Sequence, residues 1–119
     1  MESIKVKDKL GLINDLRKPE VIAEFNGQQI KISKVKGEFS WHYHKDEDEL
    51  FYILKGKMVM EFTDKKVEVN EGEMMMVPKG VEHRTVSNEE VWMMFFEPQN
   101  IMHTSDVKSA LNVENYEKI

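Results

Sequence analysis

The most regular feature of the chain is an alternation of apolar and polar residues between residues 21 and 97. Side chains two residues apart lie on the same face of a strand, so a period of two predicts β-strands. Asn26-Gly27 interrupts the alternation, and this dipeptide is typical of a tight hairpin turn because both residues readily adopt positive φ. We therefore predict a hairpin with strands at residues 21–25 and 28–35.

Six further short strands follow the hairpin, separated by turns that contain Gly, Pro, Asn or Asp. We predict them at residues 50–54, 58–62, 67–69, 74–77, 84–86 and 91–96. About eight short strands without a helical period are typical of an all-β sandwich or barrel. Outside them we expect only a short helical turn within residues 8–16 and an irregular tail at residues 98–119, all in a single domain.

The strand at 28–35 has one apolar face and one polar face. In the strand at 28–35, Ile30 and Ile32 share one face, and Lys31 and Ser33 share the other.

The segments at 50–54 and 91–96 are apolar on both faces. One face of such a strand packs inside the barrel, and the other must be covered by the N-terminal segment, the C-terminal tail or a second subunit. We favour a homodimer, because large apolar patches usually mark interfaces.

Composition and charge exclude several classes of protein. The chain has no cysteine, which excludes disulfides, thiolate metal sites and cysteine nucleophiles. Its formal net charge of −5, without a basic stripe, argues against a nucleic-acid partner. The first residues are too charged for a signal peptide, and no apolar run approaches the ~20 residues of a membrane span. We expect a soluble, cytoplasmic protein with no membrane partner.

Three of the four histidines and one glutamate form a candidate metal site. His42 and His44 are two residues apart, so a strand would present both imidazoles on one face. Glu49 opens the next predicted strand, and His83 follows the Pro-Lys-Gly turn at residues 78–80. Three neutral nitrogens and one carboxylate suit Zn, Fe, Mn, Ni or Cu, and leave positions open for water or a ligand. An isolated His-x-His pair is more often a surface or hydrogen-bonded pair, so the spacing of the other residues decides the interpretation.

That spacing resembles the two motifs of the cupin superfamily, G-x5-HxH-x3,4-E-x6-G and G-x5-PxG-x2-H-x3-N. In this chain they read Gly37-x4-His42-x-His44-x4-Glu49-x6-Gly56 and Gly72-x5-Pro78-x-Gly80-x2-His83. Nine of the ten fixed positions are filled. The first gap is one residue short, and the closing asparagine falls one residue late, at Asn88. Neither position binds metal in the family.

The resemblance implies a jelly-roll cupin barrel, a double-stranded β-helix of the RmlC-like type, over about residues 21–97 of a single domain spanning 1–119. It also implies that a divalent metal ion, such as Zn, Fe, Mn or Ni, is held by His42, His44, Glu49 and His83. Short single-domain cupins like this one resemble proteins described as similar to mannose-6-phosphate isomerase. We find no cluster of basic residues that would bind a phosphate.

Two functions are open for a protein of this kind. The first is a metal-dependent enzyme that binds a small organic ligand in the barrel mouth, as an isomerase or epimerase or as an Fe(II) dioxygenase. The second is a non-catalytic ligand-binding or sensor cupin. Catalytic residues are not assigned by the sequence. Glu61 and Arg84 are candidate polar residues of the pocket, and His103 is a weaker candidate on the tail. The many methionines are expected to fill the core.

Overall fold

A computed structural model describes residues 2–16 and 18–99. Within these residues the chain forms one short helix and seven strands: α1 (Val6–Leu10), β1 (Glu20–Phe25), β2 (Gln28–Glu38), β3 (Glu49–Lys55), β4 (Lys57–Phe62), β5 (Lys66–Asn70), β6 (Met74–Val77) and β7 (His83–Pro98). The all-β class is therefore confirmed. No helix in the described part is long and apolar enough to cross a membrane. From residue 100 onwards the predicted tail, with His103, lies outside the described residues.

Strand β7 is the central strand of the fold and pairs with three others, always antiparallel. Its second half lies between β2 and β3, so that Phe95 is opposite Lys31 on one side and Phe51 on the other. Its first half pairs with β4, where Arg84 is opposite Glu61. Strands β1, β6 and β5 extend the sheet beyond β2, β3 and β4. Within residues 18–99 the folded sheet has the jelly-roll arrangement, and its hydrogen-bonded ladder does not close.

Strand β7 is also where the observed elements differ most from the predicted ones. The segments at 84–86 and 91–96 belong to one strand, and residues 87–90 continue it instead of forming a turn. The pairing with β2 skips this polar segment: Val35 is opposite Val91 and Gly37 is opposite Ser87, so residues 88–90 form a bulge in β7. Residues 88–90 are polar because they are exposed on the strand, and polarity alone does not distinguish an exposed strand from a turn.

The barrel interior holds the larger of two apolar clusters. Its buried residues alternate along their strands as predicted: Val35, Phe39, Phe51, Ile53, Met58, Met60, Val69, Val77, Val91, Met93 and Phe95. The expectation that methionines fill the core is confirmed for Met58, Met60 and Met93, which are buried, and is wrong for Met74 and Met76, which are 60% and 58% exposed. Full burial of one such side chain stabilises the fold by about 1.5–3 kcal/mol.

The second apolar cluster covers the outer face of the sheet. Leu10 and Ile13 of the N-terminal segment pack on Ile22 and Ile32, together with the partly buried Val6, Ile30, Leu54, Trp92 and Met94. Helix α1 begins two residues before the predicted helical turn and supplies the first part of this cover. The N-terminal segment, one of the three possible covers named above, thus protects this outer face.

Because α1 covers the isoleucine face of β2, the polar face of this strand turns inwards. Lys31 and Ser33 are both 1% exposed and share the interior side with Val35. The predicted alternation is correct, but a buried lysine on the inner face could not be anticipated from it. A charge is stable there only if another group compensates it.

Gly56 provides a test of the tight turn between β3 and β4. Its φ is +90°, and a Cβ at this position would lie 3.0 Å from the carbonyl oxygen of Glu90. Gly27 has a similar φ of +76°, and a Cβ there would meet nothing within 4 Å. We expect G56A to lower the free energy of unfolding by about 2–4 kcal/mol and G27A by about 1–2 kcal/mol, since only Gly56 adds a steric clash to the left-handed strain.

Urea unfolding of the two glycine variants and the wild type measures this difference. Equal losses in G56A and G27A would show that the close approach of Glu90 has no energetic effect.

Candidate metal centre

The backbone brings two of the candidate ligands together directly. His42 and His83 form an isolated antiparallel β-bridge. The amide of His42 donates to the carbonyl of His83 at 3.0 Å, and the reverse bond is 2.9 Å. The centroids of the two imidazole rings are 4.4 Å apart. The first half of β7 therefore holds His83 beside His42 independently of what the side chains bind.

The turn at residues 78–80 aligns the same two segments at their other end. The amide of Gly80, at a φ of +79°, donates to the carbonyl of His44 at 2.8 Å. The amide of Lys79 donates to Oδ1 of Asp48 at 2.9 Å. This bond connects the loop before β3, whose residues 46–48 are all acidic, to the turn. These two bonds fix the distance between the His-x-His segment and the start of β7.

Glu49 lies where the three imidazoles meet. Its Oε1 is 3.2 Å from Nε2 of His44 and 3.9 Å from Nε2 of His83. One ligand atom each from His42, Glu49 and His83 forms a group in which all separations are within 4.8 Å. All four side chains are at most 4% exposed. The four side chains predicted from the sequence therefore lie around Glu49: His42, Glu49 and His83 form a buried group that could hold a metal ion, and His44 adjoins it through Glu49.

Two carbonyl groups orient the imidazole rings of this cluster. Nδ1 of His42 donates to the carbonyl of Ser40 at 2.8 Å, and Nδ1 of His83 donates to that of Val81 at 2.8 Å. A carbonyl only accepts, so in the neutral imidazole the proton is on Nδ1 and the lone pair is on Nε2. Nε2 of His83 is buried and has no hydrogen-bond partner among the described residues. Such a nitrogen is prepared to bind a cation.

Burial also controls the charge of the cluster. It lowers the pKa of His42. Together with the neighbouring His42, it lowers the pKa of His83 to about 4. Burial raises the pKa of Glu49. Both histidines are therefore neutral near pH 7, which is the form that binds metals.

Two buried charged residues beside the cluster were not anticipated as site residues. Glu97 is 0% exposed and Lys31 is 1% exposed, and the two form an ion pair. One ligand atom each from His44, Glu49 and Glu97 forms a second group with separations within 4.8 Å. Burial and the nearby Glu49 raise the pKa of Glu97 well above its usual value. The sequence pattern could have indicated Glu97: it lies two residues after Phe95 on the same strand, and therefore on the same inner face of the barrel.

A small cavity of about 20 Å³ adjoins His42 and Glu49. The other residues that line it are mostly apolar: Ser33, Val35, Phe39, Phe51, Thr85, Met93 and Phe95. A space of this size has room for about one water molecule. The interior behind the cluster is therefore filled by side chains, and an organic ligand does not fit into it.

Glu61 and Arg84, which were candidates for polar residues of the pocket, pair with each other instead. Nε of Arg84 donates to Oε1 of Glu61 at 2.8 Å, and Nη1 of Arg84 lies 2.7 Å from Oε2 of Glu38. Both residues alternate with inward-facing neighbours, Met60 and Thr85, so they lie on the outer face of the sheet. Neither residue lines the cavity.

A jelly-roll sheet with a buried cluster of histidine and glutamate defines a class of protein, and comparisons place the chain in it. Residues 30–101 match the Cupin domain family, and the chain belongs to this family. A cupin-2 domain containing protein from Shewanella frigidimarina has a similar structure, with a TM-score of 0.79 and 44% identity over 80% of this chain and 93% of that one.

Two further proteins are similar over most of their length. The structure of NMB1881 from Neisseria meningitidis superimposes with a TM-score of 0.74 at 33% identity, covering 82% of this chain and 99% of that chain. YdbB of Bacillus subtilis is 33% identical over 87 residues, which are 70% of this chain and 77% of YdbB. The recognition of a small single-domain cupin from its motifs is thus confirmed.

His83 predicts a pH dependence for the stability of the metal-free protein. Its pKa is about 4 in the native state against an ordinary 6.5, so the unfolded chain takes up this proton first as the pH falls. The contribution of His83 is complete above pH 6.5 and is lost as the pH falls from 6.5 towards 4. Over this interval we expect the wild type to lose about 3 kcal/mol more than H83Q.

Urea unfolding of both chelator-treated proteins at several pH values measures this difference. Comparing them removes the opposite contribution of the carboxyls with raised pKa, which both proteins retain. Parallel stability curves would contradict the low pKa of His83.

Proposed function

We propose that this protein is a metal-dependent cupin in which His42, His44, Glu49 and His83 bind one divalent metal ion. The observation that carries the proposal is the buried Nε2 of His83, which has no hydrogen-bond partner among the described residues. Leaving a buried polar group in this state costs about 1–3 kcal/mol. A cation between this nitrogen and Glu49 would remove that cost, and the oriented lone pairs of the imidazoles suit borderline metals such as Zn, Fe, Mn and Ni.

We further propose that the ion binds a small organic ligand. When bound, the ion would supply Lewis-acid or oxygen-activating chemistry. The carbonyls of Ser40 and Val81 hold His42 and His83 in the orientation that binding needs. The cavity on the interior side admits about one water molecule. We infer that an organic ligand approaches from the outer side, at the barrel mouth.

Two functions are compatible with such an ion. As an enzyme, the protein would act as an isomerase or epimerase, which needs an acid or base besides the ion, or as an Fe(II) dioxygenase. The second candidate function is a non-catalytic ligand-binding or sensor cupin. Dioxygen consumption by the Fe(II)-loaded protein with candidate sugar-like and dicarbonyl compounds separates these functions.

A second subunit is also part of the proposed assembly, at a different place from the face first considered. Met74 and Met76 are 60% and 58% exposed on β6. In the described part of the chain this strand pairs with β3 alone. Exposed apolar residues on an edge strand favour association with another sheet edge. This supports a homodimer through β6. The cytoplasmic location remains a prediction.

Elemental analysis of protein purified without added metal tests the metal site. We expect about one divalent ion per chain in the wild type and less than about a tenth of that in the H42A/H83A variant, because two of four ligands are lost. E61Q is the matched control, since Glu61 bonds to Arg84 on the outer face. Circular dichroism checks that each variant folds. A wild-type content near zero that does not rise on incubation with Zn, Mn, Ni or Fe(II) would refute the proposal.

Light scattering coupled to size-exclusion chromatography tests the dimer. We expect a mass twice the 14.0 kDa of one chain for the wild type, and 14.0 kDa for M74K/M76K, because two charges would be desolvated in the interface. L12K/L16K is the control, since Leu12 and Leu16 are also exposed but lie in the N-terminal segment. A monomeric wild type, or a dimeric M74K/M76K, would contradict the assembly through β6.

A further inference from the structure

We propose that Glu97 is a fifth protein ligand of the metal ion and that Lys31 balances its charge. This inference rests on the proposed metal site and makes it more specific. Both residues lie outside residues 37–83, the part of the chain that carries the two motifs. The arrangement of the strands brings them to the cluster.

The register between β3 and β7 places Glu97 next to Glu49. Leu50 is opposite Phe96 in this pair of strands. Glu49 precedes Leu50 and Glu97 follows Phe96, so the antiparallel register places them opposite each other, and both point inwards at the same end of the barrel. Both are almost completely buried, at 2% and 0% exposure. The two carboxyl groups therefore meet in the interior, away from bulk water.

The candidate ligand atoms form two groups that share Glu49. His44, Glu49 and Glu97 form one group within 4.8 Å, and His42, Glu49 and His83 form the other. Glu49 belongs to both groups. Metal–ligand bonds of about 2.0–2.2 Å allow two ligand atoms to be up to about 4.4 Å apart across an ion. Because Glu49 is common to both groups, the five side chains surround one place, and their adjustment around an ion there is part of the proposal.

The carboxyl group of Glu97 has two polar neighbours. Oε1 accepts a hydrogen bond from Nζ of Lys31. The carboxyl of Glu97 is also within hydrogen-bond reach of the Glu49 carboxyl, and water does not separate them, because both side chains are buried. Two carboxyl groups this close need a shared proton or a cation between them. We infer that a metal ion takes the place of this proton.

Lys31 explains how the barrel tolerates a second carboxylate. Burial and Glu49 raise the pKa of Glu97, so we expect a bound cation to be what ionises it. Two carboxylates and one ammonium then carry a net charge of −1, the same as a single carboxylate. The extra ligand therefore leaves the total charge of the site unchanged. The ammonium of Lys31 is also 6.0 Å from the ring centroid of Phe95, within the range of a cation–π interaction. A buried pair of this kind is stable only with such additional partners.

The alternative is that Lys31 and Glu97 form an ion pair that only stabilises the fold. In that interpretation a shared proton would hold the Glu97 carboxyl beside Glu49, and Glu97 would not contact the ion. The two interpretations differ in their consequence for ligand binding. With five protein ligands the ion would have fewer positions for a small molecule than with four.

Cobalt(II) binding to purified, metal-free protein tests the assignment, with the visible absorption spectrum and the affinity in chelator competition as readouts. For E97Q we expect a changed absorption spectrum, because the ligand field changes, and an affinity lower by about tenfold or more. K31M/E97Q should show the same changes, which excludes an unpaired buried lysine as their cause. E61Q, which alters an outer-face carboxylate paired with Arg84, should match the wild type.

Each result supports or overturns the inference. A wild-type spectrum and affinity in E97Q or in K31M/E97Q would show that Glu97 is not a ligand. A weaker affinity with an unchanged spectrum would also overturn the assignment and leave Glu97 as a positioning residue. If the wild type binds no cobalt, both this inference and the proposed metal site fail. If the wild type and E61Q bind it equally and E97Q is unaffected, only the fifth ligand fails.

Discussion

The burial of the Glu49 carboxyl among imidazoles is the constraint on which the rest of the site depends. At 2% exposure it has lost its water, and burial raises its pKa. Polar side chains therefore have to surround it in fixed positions. Two backbone contacts position them: the bridge between His42 and His83, and the bond from the turn at residues 78–80 to the carbonyl of His44. The rigid main chain holds in place the side chains that a cation would otherwise have to organise.

Strand β7 connects this site to the whole fold. It carries His83 at one end and Glu97 at the other, and it pairs with β4 in its first half and with β2 and β3 in its second. The N-terminal segment contributes indirectly. Because Leu10 and Ile13 cover the outer, apolar face of β2, the inner face of this strand is free to carry polar side chains. The buried Lys31 depends on this division of the two faces.

The surroundings of the cluster affect the electrostatic interactions within it. The walls of the adjoining cavity are mostly apolar, and an apolar environment strengthens every electrostatic interaction inside it. The titratable residues of that lining, His42 and Glu49, are themselves proposed ligands. Fold alone does not decide between functions in such a family. The number of protein ligands does bear on it, because it sets how many positions a small molecule can occupy.

The sequence by itself determined the all-β class, the alternation along the strands and the four candidate ligands. These depend on local rules: a period of two places His42 beside His44, and a short motif places His83 after its turn. Only the tertiary structure decided which face of each strand is inside. Lys31 and Glu97 are 66 residues apart, and they meet because β2 and β7 are neighbours. Alternation states which side chains share a face, but strand pairing and the cover over the sheet decide where that face points.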